Sequence, residues 1–537
     1  MKRASLWLII STIAAGTLTG CGGNDSAVNF LENRKVVEVD SGALQGAATD
    51  GVLSFKGIPF AAPPVGALRW RPPQAAAAWA GNRAAENYGH DCMQLPYRGD
   101  AAPTPVGTTP DEDCLVLNVW RPDEVVPKKL PVMVWIYGGG GVNGSSASAV
   151  YDGSKFAKQG VMFVSFNYRL GRFGFFGHPA LSKESPTGLL GNYGFMDTIA
   201  ALQWVQRNIE SFGGDAHNVT VFGESAGGGA VHSLMTSPLA KGLFHKAIVE
   251  SGGGRTGFIP GRRLREPGPN GLPSAEQVGV TFAGTVGVSG EDASALAALR
   301  ALPAEKIVSG LNLTTLFSNF STFSGGMIDG QLVVDEPGNV YLSGKAQKLP
   351  IMVGATNMDL GFSMARTMDE ALAPFGPANR QAALAAFDPL GTGNVSEVGA
   401  RIASDQLMVE PARFVAQTLT AQGVPVYEFR FSYVAAAIRS QVSGAPHASE
   451  LPFVFDTLSA RYGTSVTPQD AQMAKLANDY WVSFAKTGNP NGNGRPQWSA
   501  YDTKSDSQLE FSPNGADKTS SVPDAWKARL DLIQKLY

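Results

Sequence analysis

The 537-residue sequence predicts an α/β fold with a large, mostly parallel central sheet flanked by helices. Three observations predict it. The apolar runs 130–137 and 161–166 read as strands covered on both faces, which is the pattern of a parallel sheet. Ile199, Leu202, Val205 and Ile209 recur at helical spacing and make an amphipathic helix to pack on that sheet. In 218–228 a β-branched strand runs through a sharp glycine-containing turn directly into a helix. At ~150 residues per domain the length alone would allow three or four domains. Large α/β enzymes carry wide open sheets, however, and no Ser- or Pro-rich linker interrupts the middle of the chain. Residues 35–537 are therefore read as one domain.

In chain order, Met1-Lys2-Arg3 and the apolar run 6–15 form a secretory signal, too short to span a bilayer. It ends Leu18-Thr19-Gly20-Cys21, which resembles the lipobox of bacterial lipoproteins. That resemblance implies a signal peptide over 1–20, a lipid on Cys21 and a membrane anchor. Gly22 after the cysteine, where aspartate would mark inner-membrane retention, implies the outer membrane. Residues 21–34 are polar and aperiodic and read as a flexible tether. With Cys21 lipidated, Cys92 and Cys114 remain of the three cysteines, and two cysteines of an exported protein are usually bridged. The net charge of -3, with no basic run beyond the first residues, gives no sign of a nucleic-acid partner. No zinc-like Cys/His spacing occurs, and neither a metal nor a cofactor is expected.

Val36–Val39 reads as a strand that returns through 43–46 as a hairpin. The chemistry concentrates further on. Gly223, Ser225 and Gly227 fit G-x-S-x-G, the nucleophile elbow of α/β-hydrolases. The turn is too tight for Cβ atoms on both sides of the serine, so glycines are required there. It pushes the Ser225 hydroxyl out of the sheet beside a helix N-terminus whose N–H groups can hold an oxyanion. The strand at 130–137 ends in Gly138-Gly139-Gly140-Gly141, a run that lets backbone N–H groups approach a ligand closely. A serine hydroxyl needs a base, nearly always histidine, oriented by a carboxylate, and in this fold the chain order is Ser, acid, His. Of the six histidines, His90, His178 and His217 precede Ser225. His232 is two helical turns beyond it, and His245 leaves no room for an acid-bearing strand. Only His447 qualifies.

The stretches "FKGIPFAAPPVGALRWRPP" and "DEDCLVLNVW" look like the opening of the type B carboxylesterases, the family of cholinesterases and para-nitrobenzyl esterases. "NYRLGRFGFF", "GNYGFMDTIAALQWVQRNIESFGGD" and "APHASELPFVF" are similar to the same family, and the resemblance runs from about Val36 to the end. It implies an α/β-hydrolase that cleaves small-molecule carboxylic esters through an acyl-enzyme. It further implies a Cys92–Cys114 bridge, an Arg69–Glu112 pair, a buried Arg169–Asp197 pair, and an oxyanion hole from the N–H groups of Gly139, Gly140 and Ala226. The family usually places a glutamate after the strand at 349–354, one carbon longer than the aspartate found here. Asp359 takes that place, with Leu360 inserted before the glycine; Asp329 is the nearest rival. Glu224, Ser251 and Glu450 are implied as a supporting layer, Glu450 and Ser251 sharing one buried network. Gly141 stands where the family usually has phenylalanine, so that wall of the pocket is expected to be more open or mobile. No tryptophan lies between Cys92 and Cys114, which argues against choline esters. The Gly- and Pro-richer stretch 255–319, helical around 293–302, corresponds to insertions that roof the gorge in relatives. Helices are expected at 471–487 and 530–536. Two other readings stay open on sequence: a non-catalytic binding protein on the same fold, and a hydrolase of amide, thioester, lactone or polyester bonds.

Overall fold

The computed structural model describes residues 34–97, 108–124, 128–255, 261–492 and 494–537. The signal segment and Cys21 lie outside them. Among the described residues eleven strands make one sheet. From one edge they are Ser520–Pro523, Ser507–Phe511, Val426–Phe431, Ile351–Thr356, Lys246–Glu250, Gly214–Glu224, Leu130–Ile136, Met162–Phe166, Val116–Pro122, Val52–Pro59 and Ala47–Thr49. The seven from Ser507–Phe511 to Met162–Phe166 run parallel to one another. Pairing is antiparallel at both flanks. The parallel middle is apolar on both faces, as the sequence runs require: every residue of Met162–Phe166, Lys246–Glu250 and Ile351–Thr356 is buried.

Strand order places the site. After Leu130–Ile136 the chain builds Met162–Phe166 on one side and then Gly214–Glu224 on the other. The connections therefore diverge above the carboxyl ends of Leu130–Ile136 and Gly214–Glu224, where open α/β sheets bind their ligands. The glycine run and Ser225 sit at those two ends.

The helix Tyr193–Asn208 covers the sheet with Met196, Ile199, Leu202 and Val205 buried. Pro468–Thr487 begins three residues before the expected start, because Thr467 and Asp470 form a capping box there. The C-terminal helix is Lys527–Gln534, and the segment expected near 293 is Ala293–Arg300. The hairpin is present as Val36–Val39 paired with Gly42–Gln45. Phe455 stacks on Phe222 and meets Trp135, Phe156 and Phe163 edge-on. Burying such a ring contributes ~2–3 kcal/mol, and it pins the segment just after His447 to the sheet.

Cys92 and Cys114 are bonded, with Cα atoms 5.0 Å apart. Arg69 grips Glu112 with two nitrogens and donates also to the Arg300 and Leu302 carbonyls. It ties the disulfide region to the insertion. Arg169 holds Asp197 through two 2.7 Å bonds, with both side chains buried. No helix of the described residues is long and apolar enough to cross a membrane.

Candidate active site

Ser225 stands at the end of Gly214–Glu224 with φ 54° and ψ -122°, a conformation that is strained for a residue with a Cβ. Neighbouring elements hold it there. Its N–H donates to the Glu250 carbonyl (3.0 Å), and its carbonyl accepts from Gly229 (2.9 Å) in the helix Ala226–Thr236. A Cβ on Gly227 would collide with the Ile136 carbonyl, so the elbow can approach the neighbouring strand only with glycine.

The glycine run curls over the serine. The Gly139 carbonyl accepts from the N–H groups of Val142 and Asn143 at 3.1 and 3.0 Å. Gly139 has φ 97°, and a Cβ there would strike the Asn143 carbonyl. Among the described residues no hydrogen bond takes up the N–H of Gly139 or Gly140. One expectation fails here. Gly141 is buried, and an added Cβ would lie 3.3 Å from the Phe175 ring. Phe175 packs with Val142, Leu311 and Phe323 beside Gly141, so the wall is not open at that point.

Two loops bring the candidate acid and base together. Met358 and Pro446 form an isolated parallel bridge. The Met358 N–H donates to the Ala445 carbonyl (3.0 Å), and the Ala445 N–H donates to Asn357 Oδ1 (2.7 Å). Asp359 and His447 follow directly on each side, and His447 Nδ1 lies 2.5 Å from Asp359 Oδ1. Asp359 Oδ1 also accepts from the Leu360 N–H (2.6 Å). Oδ2 accepts from the Ser251 hydroxyl (2.6 Å) and from the Thr356 N–H and hydroxyl (3.0 and 2.9 Å). The inserted Leu360 thus supplies a donor to the shorter acid. Burial pushes the Asp359 carboxyl up, but the charge and hydrogen bond of His447, with the Ser251 hydroxyl and Leu360 N–H, outweigh it and hold the group below the usual carboxylate range. An ionised carboxylate only accepts, so His447 carries its proton on Nδ1 and leaves Nε2 as the basic nitrogen. His447 Nε2 lies 3.1 Å from Glu224 Oε1, a contact that sequence reasoning did not give. The rival Asp329 caps its own turn and accepts from Asn192 (2.8 Å), away from this cluster.

The expected supporting layer is rearranged. The hydroxyl of Ser251 bonds to Asp359, so it serves the acid directly where a shared network with Glu450 was expected. Glu450 is buried, and no hydrogen bond reaches either of its carboxyl oxygens among the described residues. Burial, and then the charges of Glu224, Glu250 and Asp359, push it well above the carboxylate range. Glu250 accepts from Trp481 Nε1 at 2.9 Å, and burial pushes it up to about 8.

The raised carboxyl of Glu250 makes stability pH-dependent. In the unfolded chain Glu250 ionises near its ordinary value of 4.5, whereas in the fold it keeps its proton to about 8. The folded state holds the extra proton across that window, so this contribution to stability falls as pH rises through it and is flat beyond. Glu250→Gln is expected to narrow the loss of Tm between pH 5.5 and 8.5 measured by thermal unfolding. An equal loss in both proteins would contradict the assignment.

Ser225 and His447 line one cavity of about 350 Å³ together with Gly139 and Gly140. Its other walls are mostly apolar: Leu313, Leu316 and Phe317 from the insertion, and Leu360 and Phe362 after the acid. The last two were not singled out as pocket residues from sequence, because they carry no chemical signature.

Residues 33–389 and 391–526 match the model of the carboxylesterase family. The chain is 36% identical to the fumonisin B1 esterase of Sphingopyxis macrogoltabida, over 94% of this chain and 91% of that protein. It is 34% identical to the para-nitrobenzyl esterase of Bacillus subtilis, over 87% and 92%. A solved para-nitrobenzyl esterase structure superposes with a TM-score of 0.78 at 31% identity, covering 94% of this chain and 99% of that one. The chain belongs to the carboxylesterase family: it has the α/β-hydrolase fold and is a carboxylic ester hydrolase.

Proposed function

We propose that Ser225, His447 and Asp359 form the catalytic triad of this esterase, with the N–H groups of Gly139, Gly140 and Ala226 as its oxyanion hole. One observation carries the reading: a strained serine, an imidazole backed by a carboxylate, and the Gly139 and Gly140 N–H groups, which no hydrogen bond takes up among the described residues, share one small, mostly apolar cavity. His447 Nε2 takes the hydroxyl proton as Ser225 attacks the ester carbonyl. Asp359 orients the ring and supports its charge. Glu224 Oε1, 3.1 Å from Nε2, is a second acceptor for the proton once the ring has taken it. The oxyanion meets the three N–H groups, each worth roughly 3 kcal/mol in such sites. His447 then protonates the leaving alcohol and activates the water that frees the acid. Rapid mixing with p-nitrophenyl acetate is expected to release about one equivalent of p-nitrophenol per enzyme in a burst before steady turnover. The same sample, quenched, should carry acetate on the Ser225 peptide. Acetate on a different residue would overturn the assignment.

We further infer that the mature protein is a lipoprotein of the outer membrane, anchored through Cys21. The signal, the cysteine and Gly22 support this. Cys21→Ser is expected to leave the enzyme unlipidated and in the soluble fraction. Unchanged membrane association of the variant would mean a different anchor.

A further inference from the structure

Two buried side-chain amides hold the glycine run from outside. Asn143 is 3% exposed and Gln94 8%. Asn143 Nδ2 donates to the Leu95 carbonyl (2.7 Å) and to Gln94 Oε1 (3.2 Å), and its Oδ1 accepts from the Leu313 N–H (2.9 Å). Gln94 Oε1 also accepts from the Gly144 N–H (3.0 Å), while its Nε2 donates to the carbonyls of Gly144 (2.7 Å) and Cys92 (3.1 Å). Gln94 thus pairs with the Gly144 backbone much as a neighbouring strand would. A Cβ on Gly144 would strike the Tyr137 ring, so that backbone is bare for the pairing. Three segments distant in sequence meet here: the stretch after Cys92 of the disulfide, the turn that follows the glycine run, and the insertion at Leu313.

The glycine run cannot hold itself. Gly139, Gly140 and Gly141 have φ of 97°, 64° and 68°, and none carries a side chain to pack. An oxyanion hole stabilises charge only when its donors already point where the charge develops. The planar trans peptide supplies the link. The Gly139 carbonyl and the Gly140 N–H belong to one peptide and point in opposite directions. The carbonyl is turned back onto the N–H groups of Val142 and Asn143. The Gly140 N–H is therefore turned outward, to the cavity that Gly140 lines with Ser225. The place of Asn143 decides that direction, and the bonds of its side chain decide its place. Leu313, held by Asn143, packs in turn on Gly140: an added Cβ there would lie 2.9 Å from Leu313 Cδ1.

We propose that Asn143 is a positioning residue for the oxyanion hole and that Gln94 is its second anchor. The proposal rests on the oxyanion reading of Gly139 and Gly140 and deepens it. Neither amide side chain lines the catalytic cavity. Each acts through the peptide between Gly139 and Gly140, so the disulfide stretch and the insertion set the aim of a donor that neither of them carries.

The test compares ethyl trifluoromethyl ketone, which adds to the serine and puts a charged oxygen in the hole, with its secondary alcohol, which cannot. The wild type is expected to bind the ketone at least about 100-fold more tightly than the alcohol. Asn143→Ala is expected to lower kcat for p-nitrophenyl acetate about thirtyfold, less than the roughly 10²–10³ that losing a donor outright costs. Ketone affinity should fall by a similar factor, while KM and alcohol affinity stay within about twofold of the wild type. Gln94→Leu, close in size, should give the same pattern at about fivefold, and it decides the matter if thermal unfolding shows that Asn143→Ala does not fold. The two amides share a hydrogen bond, so the double variant should lose less than the product of the single losses. A full product removes Gln94 as an anchor of Asn143. Wild-type kcat and ketone affinity in the folded variants overturn the positioning role alone. So does a loss of ketone affinity matched by an equal loss of alcohol affinity, the mark of a pocket damaged as a whole. A wild type that binds the ketone no more tightly than the alcohol overturns the oxyanion reading together with this one.

Discussion

Ser225→Ala is expected to lower kcat for short p-nitrophenyl esters by a factor of about 10⁶, and His447→Ala by a similar factor. The two groups act as a unit. Without the hydroxyl the imidazole has no proton to take, and without the imidazole the hydroxyl stays a weak nucleophile. The double variant should therefore be little worse than either single one. The residual rate would come from binding and from the N–H groups around Gly139 and Gly140. Steady-state kinetics on all three proteins checks this. Losses that multiply would show that serine and histidine work independently.

Asp359→Asn is expected to lower kcat by about 10⁴ with little change in KM. The reason is the distribution of donors around the carboxylate. Oδ2 receives three of them, the Ser251 hydroxyl and the Thr356 N–H and hydroxyl. The amide oxygen of asparagine must take that place, which turns its NH₂ toward His447 Nδ1 and the Leu360 N–H. Nδ1 then has to accept, the ring proton moves to Nε2, and the base loses the lone pair it needs. The opposed Leu360 N–H adds a local clash. Kinetics with p-nitrophenyl acetate, alongside thermal unfolding of the same variant, separates lost chemistry from lost folding. Wild-type kcat in a folded Asp359→Asn protein would move the acid elsewhere.

The parts of the site that were legible in sequence are those whose chemistry forces a local pattern. The elbow needs glycines around Ser225, the proposed oxyanion loop needs a glycine run after a buried strand, and the chain order of the proposed triad leaves His447 as the sole histidine in range. Contacts between distant segments were not legible. Nothing near Met358 announces its bridge to Pro446, which sets the Asp359–His447 distance. Phe175 fills the space beside Gly141 from 34 residues away, so a missing side chain in one loop did not mean an open wall. Ser251 and Glu450 were expected in one network, but the Asp359 carboxylate is the stronger acceptor and takes the Ser251 hydroxyl. In the sheet, Val426–Phe431 carries Glu428 and Arg430, charges that hide a fully buried strand. Arg430 can be buried because Asp524, 94 residues on, pairs with it through two 2.8 Å bonds.

The most direct measurement is covalent labelling with an organophosphate, followed by peptide mapping of the intact and His447→Ala enzymes. One phosphyl group on Ser225, appearing as esterase activity disappears and failing to form at a comparable rate without His447, is the predicted result. Activity lost while Ser225 stays unmodified, or Ser225 labelled equally fast without His447, would contradict it.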